Sequence, residues 1–143
     1  MTDTARRFLF GIVVIGLAGL GTELLLLEHY EDVYQLIPLV LAGAAAVSLA
    51  GLVVAPGTSI IRLFRVVMTL FVLSGVAGAW LHFQANMEFQ LEMDASLAGM
   101  ALFQKAIRAK APPALAPGAM IQLGLIGLAC TYRHPALGPS VRH

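Results

Sequence analysis

Four long apolar runs alternate with polar connections along the chain. They cover residues 8–28, 34–54, 60–82 and 115–132, and polar side chains interrupt them only at isolated positions. An α-helix of about 20 apolar residues crosses a hydrocarbon core of about 30 Å, and each run is close to that length. The pattern predicts an all-α membrane protein, a bundle of four transmembrane helices that forms one domain over residues 1–143.

The first run has the features of a permanent membrane span. Arg6 and Arg7 precede it, as basic residues precede the apolar region of a secretory signal peptide. However, the run from Phe8 to Leu27 is longer than the roughly 7–15 residues of that region, and no small-residue cleavage site follows it. We therefore expect a helix that stays in the protein.

Two sequence signals place helix boundaries outside the apolar runs. Asp32 followed by Gln35 resembles a capping box, which predicts that the second helix begins near Val33. After the third span, residues 82–94 alternate polar and apolar positions, the period of a β-strand. They contain good helix formers and no β-branched residue, so a helical extension of the third span is favoured over a strand.

The outer connection, residues 83–114, also contains an amphipathic segment. Over residues 96–109, Met100, Phe103 and Ile107 share one helical face. This spacing predicts a short helix, capped by Asp94 or Ser96, that lies along the outer membrane surface.

The distribution of basic residues predicts the orientation of the spans. Six of the nine Lys and Arg residues fall at one end of the predicted bundle: Arg6, Arg7, Arg62, Arg65, Arg133 and Arg142. Lys105, Arg108 and Lys110 fall at the other end, together with seven of the eight acids. Positive residues are retained on the cytoplasmic side, so we expect both termini in the cytoplasm and a multi-pass protein of the inner (plasma) membrane.

Composition and motifs exclude several classes of function. With 12% charged residues and a net charge of +1, the chain has no basic face for nucleic acid. Cys130 is the only cysteine, which excludes an internal disulfide, a redox-active cysteine pair and a thiolate zinc site. The chain has no GxSxG motif, so a lipase-like serine hydrolase is not supported. We expect no enzymatic activity and no bound cofactor.

Two polar residues inside the spans form a candidate pair. Glu23 lies within the outer end of the first span, where an isolated carboxylate is costly. Gln122 enters the fourth span from the same side, and the sequence predicts a hydrogen bond between the two if their helices are neighbours. The pair is either an interhelical contact or a site for a proton, cation or ligand.

The outer connections carry a second candidate site. Acidic residues and two histidines are concentrated there, and divalent metal ions accept such oxygen and nitrogen donors. If a divalent ion binds, we predict His29 and His82 as its nitrogen ligands and Glu31 and Glu88 as its oxygen ligands. The alternatives are a solvated acidic surface and, less favoured, a haem held by the two histidines.

Small residues recur at helical spacing in the spans. Ala42, Ala46 and Ala50 form one ladder, and the pairs Ser74–Gly78 and Gly75–Ala79 form two more. Such ladders let membrane helices approach closely, within one chain or between chains. The leading functional hypothesis is a non-enzymatic accessory or assembly component in the lipid bilayer that contacts a partner membrane protein or its own copies. The alternative is a small transporter or a ligand-binding or metal-binding bundle that uses Glu23 and the outer acids and histidines.

Overall fold

The computed structural model describes residues 2–109, 115–134 and 137. In this part of the chain the secondary structure is helical: α1 (Asp3–Leu26), α2 (Val33–Val54), α3 (Thr58–Met93), α4 (Gly99–Ile107) and α5 (Leu115–Cys130). Helices α1, α2 and α3 are long and apolar enough to cross a membrane, since an 18-residue window in each has a mean hydropathy of 2.2, 2.3 and 2.0, respectively. The prediction of a helical, membrane-type protein is confirmed. The fourth predicted span corresponds to α5, whose 16 residues give a helix of about 24 Å.

Helices α1, α2, α3 and α5 contact one another in a ring. α1 packs against α2, α2 against α3, α3 against α5, and α5 against α1. The centre is filled by large, fully buried side chains: Val13, Leu24, Ile61, Phe64, Met68 and Phe71. The most extensive of these contacts joins α3 and α5, and the least extensive joins α1 and α2.

Two glycines bring the backbones of α3 and α5 together. A Cβ atom on Gly124 would lie 2.8 Å from the Met68 carbonyl oxygen, and one on Gly75 would lie 2.7 Å from the Pro117 carbonyl oxygen. Any side chain at either position would therefore collide with the neighbouring backbone. Gly75, a member of a predicted small-residue ladder, thus lies at a close contact of α3 with α5. Gly124 makes a similar contact from α5, against Met68 and Val72 of α3.

A buried arginine connects the start of α1 to the end of α5. The Nε atom of Arg6 donates a hydrogen bond of 3.1 Å to the carbonyl oxygen of Cys130, the last residue of α5. A second guanidinium nitrogen lies 3.1 Å from the Asp3 carboxylate. Because helix carbonyls at the C-terminus carry partial negative charge, a cation there is favourable. Partial burial and the Arg6 charge also lower the pKa of His134.

The start of α2 agrees with the sequence prediction. Asp32 is the N-cap, and its Oδ1 atom accepts a 2.9 Å hydrogen bond from the Gln35 backbone N–H. The Gln35 side chain in turn accepts a 2.8 Å bond from the backbone N–H of Glu31. This reciprocal arrangement fixes where the chain enters α2.

α3 continues well beyond the length that a membrane requires. Its 36 residues correspond to about 54 Å, and the alternating segment 82–93 lies within it. The helical interpretation of that segment is confirmed, and the strand alternative is wrong, because the helix formers extend a helix that α3 has already nucleated.

α4 packs against the outer part of α3. The Phe103 ring lies 5.6 Å from the Phe83 ring, centroid to centroid, the Lys105 ammonium lies 3.9 Å from the Asp94 carboxylate, and Ala106 is fully buried. The residues of the predicted apolar face of α4 therefore have different surroundings. Phe103 contacts α3, whereas Met100 and Ile107 remain exposed.

The predicted cap of α4 is wrong. Its N-cap is Ala98, which forms no side-chain capping bond, and the positive φ of 56° at Gly99 turns the chain into the helix. Asp94 instead ends α3, where its carboxylate accepts bonds from the hydroxyl (2.6 Å) and backbone N–H (3.1 Å) of Ser96. These bonds lower the pKa of Asp94 below its ordinary value of 3.8. The carboxylate thus stabilises this turn above the ordinary pKa, and the stabilisation is lost as the pH falls through the lowered value.

Candidate functional site

A cavity of about 510 Å³ lies at the end of the molecule where α1 ends and α2 and α5 begin. The side chains that line it come from α1, α2, α3, α5 and the α1–α2 connection. Its apolar lining includes Leu24, Leu81, Pro117 and Met120, and its polar lining consists of His29, Asp32, Tyr34, Gln35, Ser74 and His82. An apolar pocket with a few convergent polar groups is the usual form of a small-molecule site. We call it the outer cavity.

The turn between α1 and α2 positions His29 and Asp32 at this cavity. Glu28 has a positive φ of 52°, the backbone N–H of His29 donates to the Leu24 carbonyl (2.9 Å), and that of Glu28 donates to the Leu25 carbonyl (3.1 Å). This is the Schellman arrangement that ends many helices, with glutamate at the position where glycine is usual. Three residues later the Asp32 cap begins α2, so both ends of the turn are fixed by hydrogen bonds.

The structure brings the two predicted histidines to one site. His29 comes from the α1–α2 connection and His82 from α3, and both line the outer cavity. The two predicted oxygen ligands, Glu31 and Glu88, are exposed and do not line it. Over residues 2–109 and 115–134, no three His, Cys, Asp or Glu side chains form a group that could hold a metal ion. The four-residue metal site is therefore not assembled.

Glu23 and Gln122 are not brought together. α1 and α5 are neighbours, as the hypothesis required, and Gly16 of α1 packs directly on Leu123 of α5. The helices run in opposite directions, so Gln122 is level with Gly16, and Glu23 lies about 10 Å farther along the axis, near Ala116. The Gln122 side chain is exposed, and no hydrogen bond links it to Glu23 in this part of the structure. Glu23 does not line the outer cavity.

The surroundings of the cavity are acidic. In the described chain, the acids at this end are Glu23, Glu28, Glu31, Asp32, Glu88, Glu92 and Asp94, and the bases are Lys105 and Arg108. The only ion pair among them within 4.0 Å joins Lys105 and Asp94. Asp32 is the one carboxylate in the cavity lining. This charge distribution favours cationic ligands over anionic ones.

Sequence reasoning singled out the two histidines but not the other polar residues that line the outer cavity. Asp32 was interpreted as a helix cap, but it also lines this cavity, three residues after His29. Ser74 was interpreted as part of a packing ladder, but it lines the cavity. Its spacing from His82, eight residues or about two helical turns, is the signal that places both on one face of α3.

Comparison of the chain with family models, with curated proteins and with solved structures returned no match.

Proposed function

We propose that the chain is a four-helix bundle that crosses the inner (plasma) membrane four times, with both termini in the cytoplasm. The ring contact of α1, α2, α3 and α5 supports this, as does the antiparallel packing of α5 against α1. The end opposite the outer cavity carries the exposed bases Arg7, Arg62, Arg65 and Arg133, as cytoplasmic ends of membrane helices do. The shorter α5 is accommodated by local thinning of the bilayer.

In this arrangement the protein is a non-enzymatic ligand-binding bundle whose outer cavity takes a small amphipathic cation. The observation that carries this proposal is the convergence of Asp32, His29 and His82 over an apolar lining in one cavity. A cation with an apolar body would place its charge near the Asp32 carboxylate and its apolar groups against Leu81 and Met120. Tyr34 adds an aromatic ring to the lining, and aromatic faces attract cations.

We expect Asp32→Asn to weaken binding of the lipophilic cation tetraphenylphosphonium about fivefold, because a partly solvated charge pair contributes about 1 kcal/mol. Asparagine caps helices as well as aspartate does, so α2 should remain intact. Isothermal titration calorimetry on the purified protein in lipid nanodiscs measures the affinity.

The matched control is Glu31→Gln, which removes an exposed carboxylate next to Asp32 that does not line the cavity. It should leave the affinity within about twofold of wild type. The neutral analogue triphenylphosphine oxide should bind more weakly than the cation. Equal affinities for Asp32→Asn and wild type, or for the cation and the neutral analogue, would contradict the proposal.

A second role, as an interaction component, is supported by the loose contact of α1 and α2. An apolar groove of about 520 Å³ lies between them, and small residues of both helices line it, among them Ala18, Gly21, Gly43, Ala46 and Ala50. Beside it on α2, Val40, Val47 and Val54 are 67%, 73% and 84% exposed at a spacing of seven residues. The valines form a ridge on the same surface as the groove. We propose that the ridge of one copy fits the groove of a second copy in a two-fold dimer.

This dimer should be lost when the groove is filled. We expect Ala46→Leu to abolish energy transfer between donor-labelled and acceptor-labelled copies in liposomes, because the larger side chain occupies the space of the partner ridge. Ala77→Leu is the matched control, since Ala77 is an exposed alanine of α3 outside the groove. If the wild type showed no more energy transfer than a monomeric reference protein at the same density, the dimer would be rejected. If Ala46→Leu retained the energy transfer, this interface would be rejected.

A further inference from the structure

A third depression lies on the opposite half of the molecule, between α3 and α5. It has a volume of about 760 Å³ and is lined by Arg65, Val66, Thr69, Leu70, Leu128, Ala129 and Tyr132. The α3 residues recur at i, i+1, i+4 and i+5 and form one wall. The other wall consists of Leu128 and Ala129 in the last turn of α5 and of Tyr132, two residues after its end. We call it the α3–α5 groove.

Two arginines lie at one end of this groove: Arg65 in its wall, and Arg133 beside it, against the ring of the wall residue Tyr132. Arg65 is part of its wall and is exposed. The Arg133 guanidinium carbon lies 5.5 Å from the centroid of the Tyr132 ring, which lines the groove just after the end of α5. The remainder of the groove is apolar apart from the Thr69 hydroxyl, which donates a 2.9 Å hydrogen bond to the Arg65 carbonyl of its own helix. The groove is therefore amphipathic, with a cationic end and an apolar floor.

No carboxylate of the described residues neutralises these two arginines. The ion pairs within 4.0 Å in this part of the chain are Arg6–Asp3 and Lys105–Asp94. Asp3 is the only acid of the sequence outside residues 23–94, and it is already paired with Arg6. Among the described residues, no carboxylate at this end of the protein therefore pairs with Arg65 or Arg133.

We propose that the α3–α5 groove binds one anionic phospholipid, with the phosphate on Arg65 and Arg133 and an acyl chain along Val66, Leu70 and Leu128. Arginine pairs with phosphate oxygens through two parallel N–H donors, and the apolar floor takes the adjoining hydrocarbon. Neither a free anion nor a neutral lipid satisfies both halves of the groove. The proposal depends on the chain lying in a bilayer but not on the ligand of the outer cavity, so the two can fail separately.

The test compares the binding of two lipids with identical acyl chains, phosphatidylglycerol and phosphatidylcholine. Each lipid is added to the purified protein in detergent, and native mass spectrometry counts the lipid molecules bound to each protein. We expect phosphatidylglycerol to bind the wild type about tenfold more tightly, and Arg65→Gln to remove most of this difference. Arg62→Gln is the matched control, since Arg62 is an exposed arginine one turn earlier on α3 that does not line the groove. It should retain the preference.

A second variant tests the apolar half without changing any charge. Ala129→Phe fills the floor of the groove and should weaken phosphatidylglycerol binding, whereas Leu125→Phe, at an exposed position of α5 outside the groove, should not. Thermal melting of each variant establishes that it is folded. Equal binding of the two lipids to the wild type would overturn the proposal, and so would an equal loss of phosphatidylglycerol binding in Arg62→Gln and Arg65→Gln. Complete displacement of phosphatidylglycerol by millimolar inorganic phosphate would also overturn it, because it would indicate a site for a free anion.

Discussion

Gly124→Ala is expected to destabilise the protein by about 2 kcal/mol, although alanine is the better helix former. The added methyl group would lie 2.8 Å from the Met68 carbonyl oxygen and 2.6 Å from a Val72 methyl group. Since a backbone atom cannot rotate away, α3 and α5 must separate, and overpacking of this kind costs about 1–3 kcal/mol. Gly75→Ala should behave in the same way, because its methyl group meets the Pro117 carbonyl of α5 at 2.7 Å.

Gly118→Ala is the matched control on the same helix. A Cβ atom at Gly118 meets nothing within 4 Å, so this substitution should be neutral or stabilise by up to about 1 kcal/mol through helix propensity. The free energies of unfolding can be measured by titrating the protein from mild detergent micelles into sodium dodecyl sulfate. If Gly124→Ala and Gly118→Ala gave the same free energy of unfolding, the backbone contact of α3 and α5 would not be the determinant that the geometry indicates.

Arg6→Met is expected to cost about 2 kcal/mol, while Arg7→Met at the adjacent exposed position should have little effect. Methionine retains much of the apolar stem of Arg6 but removes the hydrogen bond to the Cys130 carbonyl and the ion pair with Asp3. The loss should appear locally as faster amide hydrogen exchange in the last turn of α5, and globally as a lower unfolding free energy.

Comparison of Arg6→Met with Arg7→Met distinguishes the loss of the hydrogen bond to the Cys130 carbonyl from the loss of a positive charge. Both remove one positive charge from the same end of α1, so any influence on membrane insertion is shared. Unchanged exchange in the last turn of α5 after Arg6→Met would show that this bond does not hold the two helix ends together.

The sequence was sufficient for the features that depend on local pattern. Helix α2 begins at Val33 as the Asp32 cap predicted, and residues 82–93 are helical as their composition favoured. Each of these outcomes is determined by residues within a few positions of one another, through side-chain caps and helix propensities. The helical membrane architecture follows in the same way from the lengths of the apolar runs.

The features that depend on the register between helices could not be predicted. Glu23 and Gln122 seemed to lie at equal depth when counted from the ends of the apolar runs, but the packing of Gly16 on Leu123 sets a different alignment. Likewise, Arg6 was interpreted only as an orientation signal, because no local pattern indicates that its side chain reaches residue 130. His29 and His82 both line the outer cavity, and Asp32 lies there with them because of the three-dimensional course of the α1–α2 turn, which no local pattern indicates.

The glycine contact also determines how α3 can move. Gly75 lies 17 residues after Thr58 and 18 before Met93, so one of the two glycine contacts with α5 falls at the midpoint of a continuous helix. A rigid helix that is held at its centre tilts about that point. A tilt of 5° would displace the two ends of α3 by about 2 Å each, in opposite directions. A rearrangement of the aromatic contacts near Phe83 would therefore move the Arg65 end as well, without any bending of the helix.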